Sequence, residues 1–456
     1  MVLLFLVALF ATAYWFDRAP EIVQTPEQLT ITYWEKWTGF EGAAMKGTVD
    51  LFNKKKIKNA KGQVIFCKYL TTTQVDRKSL LAIAGGTPPD LCGFWERNNH
   101  VYADMGALMP LDEFIKRDNG TGGFDTENYI PIFLDSCRHR GQTWSLPTTP
   151  ATIALHWNKD MFRRAGLDPD RPPRNTQELE EYNQKLTIKD ANGRMVQMGF
   201  LPPEPGWWHY AWPYFFGGKL TVGLDKITAN DPKNIEAFEW LMKFKQGYDP
   251  AMLLSFKQSF GNAFDSPQNA FMSNKVAMVI QGVWMANFIR FHNPQMDWGC
   301  GPFPTSFDTK GEPVTIVDLD IITIPRGCRN PEEAWQVIKF INTHEGMEFL
   351  CGGKENNGGQ GKLTPFKTNT PGWIEAHTHK QLKVFIDLAR SKNAVAIPQV
   401  PIWEQYQEEM KDAFEGAWLN KKTPAQALQA VQDRMQPELD RCNQIYNARM
   451  QALKKD

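Results

Sequence analysis

Apolar and polar positions recur along the chain with two periods, and the switches between them mark out its elements. Leu29–Trp34 alternates with period two and predicts a strand. Over Gly39–Lys56 the apolar residues Ala44, Val49, Leu51 and Phe52 take helical spacing. Val64–Leu70 predicts a second strand. Thr73 stands where a cap for the helix Val75–Ala84 is expected, and Gly85-Gly86 is a helix stop. Asp90–Phe94 predicts a short buried strand. Strands that alternate with helices imply βαβ units and a parallel sheet.

The pattern changes over Gly141–Asp160. A strand start is broken by Pro147, Thr148-Thr149-Pro150 follow, and Ala151–Trp157 resumes the strand. Such an extended segment with polar tips links two lobes. A second α/β region follows, with Asp231-Pro232 opening a helix and Val276–Gln281 as a buried strand. Thr315–Pro325 predicts a second crossing. Asn330-Pro331-Glu332-Glu333 reads as a helix cap ahead of Ala334, Val337, Ile338 and Ile341. A Gly-rich loop occupies Cys351–Lys362, and Thr423-Pro424-Ala425-Gln426 opens the last long helix. The crossings divide the chain into lobe 1, residues 27–148 plus 321–365, and lobe 2, residues 149–320 plus 366–456.

Residues 1–16 are apolar except for Thr12, and Ala11-Thr12-Ala13 fits a small-x-small cleavage site. No Lys or Arg precedes the run, and Trp15-Phe16 keep it apolar past that site. The segment is therefore expected to be a signal peptide or an uncleaved anchor. Lys+Arg and Asp+Glu number 51 each, which argues against a general nucleic-acid binder. The seven cysteines form no C-x-x-C pair, so they read as small core residues, with room for one bridge in an oxidising compartment. The 16 Trp, 29 Phe and 11 Tyr either fill cores or line a site for a ring-shaped ligand. His377-x-His379 is expected on a solvated helix, where i and i+2 face apart. Gly358–Lys362 lacks the preceding strand and following Ser/Thr of a phosphate loop. No metal and no cofactor is implied.

Six segments agree, in order, with one family: LTITYWEKWTGFEG at 29–42, LLAIAGGTPPDL at 80–91, YADMGALMPLDEFI at 102–115, WNKDMFRRAGLDP at 157–169, FMSNKVAMVIQGVW at 271–284 and KKTPAQALQAVQDRM at 421–435. The chain resembles the extracellular solute-binding proteins of carbohydrate ABC transporters, the group that includes maltose-binding protein. The resemblance implies an α/β chain with the two-lobed periplasmic-binding-protein type II fold. Each lobe would hold a mostly parallel sheet flanked by helices, joined to the other by crossing strands. It also implies a monomer in the periplasm or another extracytoplasmic space, with sugar in the interlobe cleft and an ABC transporter permease in the inner membrane as partner. A carboxylate that the maltose protein places after its first crossing falls here on Ala151, so maltose itself is not implied.

A pyranose has apolar C–H faces and a rim of hydroxyls, so its site needs aromatic platforms beside bidentate polar groups. Platforms belong on loops at strand ends. Glu35, Trp37 and Thr38 follow the first strand, and Trp95 and Glu96 end the third, where they are favoured over Arg97. Glu204-Pro205-Gly206-Trp207-Trp208 resembles a Glu-Pro-aromatic site segment of the family. One of Trp207 and Trp208 is expected to face ligand, while the other joins Trp212 in the core. The resemblance places Trp284 and Trp403 as platforms. Asp318 and Asp320 bracket the second crossing, where hydroxyl binding and a hinge hydrogen bond fit equally.

This set implies capture of a neutral carbohydrate and its delivery to a permease. The alternatives are a glycoside-processing enzyme, whose two facing carboxylates ~5–9.5 Å apart would come from Glu35, Glu96 and Glu204, or a sugar-sensing protein serving a receptor kinase.

Overall fold

The computed structural model describes residues 25–261 and 265–453; the apolar segment 1–16 lies outside the described residues. Ten strands form one curled sheet: β1 Gln28–Glu35, β2 Val64–Thr71, β3 Leu91–Trp95, β4 Leu146–Asn158, β5 Ile188–Lys189, β6 Met195–Phe200, β7 Val276–Gly282, β8 Trp298–Gly301, β9 Thr315–Thr323 and β10 Ala394–Val395. The order is β2-β1-β3-β9-β4-β7-β6-β5, with β8 pairing β4 and β10 pairing β9. β1 runs parallel to β2 and β3. β7 runs parallel to β6. The two crossing strands, β9 and β4, pair antiparallel in the middle. One half of the sheet thus ends on β9 and the other begins on β4.

Each half has its own apolar core. Ile31, Met45, Phe52, Leu91 and Trp335 belong to the first, and Trp157, Phe162, Phe200, Phe238 and Trp403 to the second. A third cluster, with Phe94, Ala151, Leu319 and Phe385, lies under the junction. The helices that matter to the site are α1 Gly39–Lys54, α2 Val75–Ala84, α3 Arg97–Met105, α4 Pro232–Met242, α5 Met285–His292, α6 Pro331–Ile341, α7 His344–Gly352, α8 Trp403–Trp418 and α9 Pro424–Leu453.

Local signals held in several places. The Asp231 side chain accepts from Lys233 N at the start of α4. Thr423 and Gln426 exchange hydrogen bonds of 3.1 and 3.2 Å as a reciprocal box at the start of α9. All seven cysteines are free thiols.

Others yielded to tertiary contacts. Thr73 does not cap α2; Gln74 takes that position with φ 55°. Asn330 does not cap α6, because its amide instead donates to Asp90 Oδ1 at 2.9 Å. Pro147 does not interrupt the first crossing, since β4 runs unbroken and buried from Leu146 to Asn158. Pro147 has no N–H, and the ladder shifts register beside it, between Asp320 and Ile321 of β9, while Pro150 stays in register opposite Leu319. His377 and His379 are buried, not solvated. His379 N donates to His377 Nδ1 at 3.0 Å, and burial lowers both imidazoles, to about 4 and about 3.

The end of β1 depends on one close approach. Glu35 is fully buried and accepts from Tyr33 Oη at 2.6 Å and from Lys36 N at 2.7 Å. Its carboxylate lies against Gly93 of β3, where a Cβ would overlap it. Gly93→Ala is therefore expected to destabilise the protein by ~1–3 kcal/mol through overpacking, read as a lower denaturant midpoint. An unchanged midpoint would mean that the Glu35 carboxylate does not sit there.

Candidate functional site

A cavity of about 410 Å³ opens where the sheet halves meet, within the ~300–1,000 Å³ of small-molecule sites. Its wall is assembled from the carboxyl ends of parallel strands and from the crossing pair. Trp37 follows β1, and Trp95 ends β3 with Arg97 just beyond it. Trp284 follows β7, and Thr149, Ala151, Asp318 and Asp320 come from β4 and β9. Trp207, Trp208 and Tyr210 enter on a long loop after β6, Glu41 from α1, Lys362 from the Gly-rich loop, and Trp403 from α8.

Rings dominate the wall. Trp208 stacks on Trp284 with centroids 6.1 Å apart and planes at 21°. Trp207 meets Trp208 edge-on at 6.4 Å. Tyr210 stands at 90° to Trp403, 5.0 Å away. Trp284 folds back onto the end of β7, because Gly282 has no Cβ to meet its ring, and its Nε1 donates to Gln281 Oε1 at 3.0 Å. Among the described residues the indole N–H groups of Trp37 and Trp208 have no protein acceptor, so a ligand oxygen or water is their natural partner.

Beneath the rings lies a buried relay of charges. Lys36 Nζ is 3.2 Å from Glu35 Oε1 and 3.2 Å from Asp320 Oδ1. Lys362 Nζ is 3.1 Å from Asp320 Oδ2 and 3.5 Å from Glu41 Oε1. Thr149 Oγ1 donates to Asp320 at 2.6 Å. Burial works to raise the Asp320 pKa, but Lys36, Lys362 and the Thr149 bond together hold it below the ordinary carboxylate range. Burial works to lower Lys362, and Asp320 and Glu41 outweigh it and raise the ammonium above its usual value. Both lysines also lie over Trp37, at 4.6 and 4.5 Å from a ring centroid. Arg97 lies 4.2 Å over Trp95 and 3.5 Å from Glu404.

The structure brings Trp37, Trp95, Trp207, Trp208, Trp284, Asp318 and Trp403 to one cavity. Both Trp207 and Trp208 line it, Trp207 half-buried and Trp208 buried in the same core cluster as Trp212, so one ring serves both core and cavity. Trp403 is fully buried and backs the wall instead of projecting from it. Four expected residues stand outside. Glu35 turns inward to Tyr33 and Lys36. Thr38 is exposed before α1. Glu96 is buried below the floor, where burial and then the Asp318 charge push its carboxyl well above the ordinary range. Glu204 pairs with Lys257 on the far side of its loop. Glu41, Lys362 and Arg97 also line the cavity and Lys36 lies beneath it, although no local pattern marks them; Lys362 sits in a Gly-rich stretch that lacks the features of a phosphate loop. Asp318 and Asp320 carried a readable signal, because alternate residues of a strand share a face. No group of three or more His, Cys, Asp or Glu able to hold a metal ion occurs among the described residues.

Asp318 is raised to about 6, by burial first and then by Asp320, against the opposing pull of Lys362, Arg97 and Lys36. A carboxyl raised in the folded state stabilises fully below its unfolded value of ~3.9 and loses that contribution as pH rises through about 6. The ligand-free protein should therefore lose stability, relative to Asp318→Asn, between about pH 4 and pH 6. Parallel denaturant melts across that interval check it; identical pH profiles would place Asp318 in water.

The residues 68–348 match the family model described as bacterial extracellular solute-binding protein. A putative binding protein of Brucella abortus is 26% identical over 76% of this chain and 78% of its own length. The sn-glycerol-3-phosphate-binding periplasmic protein UgpB of Pectobacterium atrosepticum is 24% identical over 89% of this chain and 90% of its own. Among solved structures, CpMnBP1 with mannobiose bound superposes with a TM-score of 0.74 at 24% identity, covering 89% of this chain and 99% of that one. The sugar-binding protein MalE of Xanthomonas citri gives 0.72 at 18% identity, over 92% and 99%. The curled α/β sheet is thus that of the two-lobed periplasmic binding proteins, and the chain belongs to the bacterial extracellular solute-binding protein family.

Proposed function

We propose that this protein captures a carbohydrate between its two lobes, without chemistry on it, and delivers it to an ABC transporter permease in the inner membrane. The observation that carries the reading is the cavity's composition: six half-buried or buried Trp and one Tyr around a floor of paired charges. Flat rings match the C–H faces of a pyranose, and fixed carboxylates and ammonium groups match its hydroxyls. One further fact supports it: the CpMnBP1 structure carries mannobiose. The protein acts as a monomer in an extracytoplasmic space. Its lobes are residues 27–148 plus 321–365 and residues 149–320 plus 366–456. Titration calorimetry over mono- and oligosaccharides tests the reading, and preference for an amino acid or a metal ion over every sugar would overturn it.

Trp284 supplies the sharpest single-residue test. Trp284→Ala removes both its own face and the partner that holds Trp208 parallel. A loss of about 2 kcal/mol in binding is expected, the scale of an aromatic hot spot. Full affinity in a folded variant would remove Trp284 from the site.

Closure of the lobes is the second consequence. Asn98 donates to Glu404 at 3.0 Å, and Asn287 donates to Gln360 O at 2.6 Å. Phe40 meets Phe291 at 5.1 Å. Each pair joins one proposed lobe to the other, while the covalent links are few, so hinge motion costs little. Ligand-free Glu404→Ala/Asn287→Ala should show a larger radius of gyration by small-angle scattering, and saturating ligand should restore the compact value. A radius that neither the substitutions nor ligand alter would refute hinge closure.

A further inference from the structure

The balance of charge around the cavity points to a narrower ligand class than neutral sugars. In and under the wall stand three cations, Lys36, Lys362 and Arg97, and five carboxylates, Glu35, Glu41, Asp318, Asp320 and Glu404. Glu96 is left out because it does not line the cavity and makes no ion pair with these cations among the described residues, and burial raises its carboxyl. Every cation is already engaged: Lys36 by Glu35 and Asp320, Lys362 by Asp320 and Glu41, Arg97 by Glu404. Four of the five carboxylates are the other halves of those contacts. Asp318 lines the cavity and makes neither an ion pair nor a side-chain hydrogen bond among the described residues.

A carboxylate that feels nearby cations but holds no ion-pair or hydrogen-bond partner of its own in a ring-lined cavity is costly, and it is relieved best by a cation that arrives with the ligand. The surrounding rings favour the same guest. Trp, Tyr and Phe faces attract an ammonium group, most strongly where water is excluded, and this wall already holds cations over Trp37 and Trp95. An anionic ligand meets the reverse situation. Among the described residues every cation that lines the cavity already has a carboxylate within 3.5 Å, and an anion's charge would add to that of Asp318. We propose that the captured ligand is a cationic saccharide, an amino sugar or a short chain of them, whose ammonium group pairs with Asp318. The inference rests on the carbohydrate reading above and replaces the neutral sugar expected from the loop residues, which could not register that every basic group has a partner.

The test compares sets of three ligands that differ only in the C2 substituent of each ring. Glucosamine, galactosamine and mannosamine, and the β-1,4 disaccharide of glucosamine, are each titrated beside the hydroxyl parent and the N-acetyl derivative. Calorimetry near pH 7 keeps both Asp318 and much of the amine charged. In at least one set the ammonium form should bind tenfold or more tightly than either neutral form. In Asp318→Asn, with folding checked by thermal melt, that ratio should fall to within about threefold, because the amide has no charge to offer. Ratios taken within one protein cancel any general loss of affinity. Neutral sugars that bind as tightly as their amino forms in every set, or a preference that survives in Asp318→Asn, would overturn the proposal and leave sugar capture intact. Failure of every saccharide, charged or neutral, would overturn the capture reading and this inference together.

Discussion

Asp320 is the residue on which the site depends. It sits on the crossing strand β9, buried, and receives Lys36 from the end of β1, Lys362 from the Gly-rich loop and Thr149 from the other crossing strand. One carboxylate therefore joins four separate stretches of chain. The arrangement is stable only as a whole. Taking these charges out of water costs several kcal/mol per ion, and mutual attraction offsets that only while every partner is present. Removing one partner strands another charge, at about 3–5 kcal/mol. The relay is thus better understood as a device that fixes geometry than as a source of net stability.

The ring wall takes its form from this floor. Two lysines have their ammonium groups over Trp37. Trp95 is covered by Arg97, which in turn reaches Glu404 of α8. On the opposite side Trp208 and Trp284 support each other, and the ring of Trp284 can reach that position only because Gly282 leaves the end of β7 bare. Charges and rings therefore divide the work. The floor positions the two sides of the cavity relative to each other, and the rings give it shape and exclude water. Asp318 stands apart, on the same strand as Asp320 but without its partners, and that difference gives the two carboxylates opposite pKa shifts.

Much of this was legible before any coordinates. Strand and helix periods placed β1, β2, β3 and β7 within a residue or two, and the capping pair Thr423/Gln426 formed as its spacing implied. These features are local: a period or a cap depends on residues a few positions apart, and the chain cannot avoid expressing them. Tryptophans after strand ends were legible for a related reason. A large ring on a loop beside charged neighbours has no core to enter, and Trp37, Trp95 and Trp284 all reach the cavity.

The carboxylates were not legible in the same way. Glu35, Glu96 and Glu204 follow the same local logic as the tryptophans, yet each turns away, toward Lys36, below the floor and toward Lys257. Lys362 had the opposite fate and became central. The helix caps divide similarly, for Asn330 left its own helix to bind Asp90, 240 positions earlier in the chain. By itself the sequence determined where strands, helices and ring-bearing loops would form, because those depend on short-range periodicity and on the water-avoidance of apolar surface. Only the tertiary structure decided which charged groups face the cavity. A charge goes to whichever opposite charge the fold brings within a few ångströms, and for Lys36 and Asp320 that meeting spans 284 positions of chain.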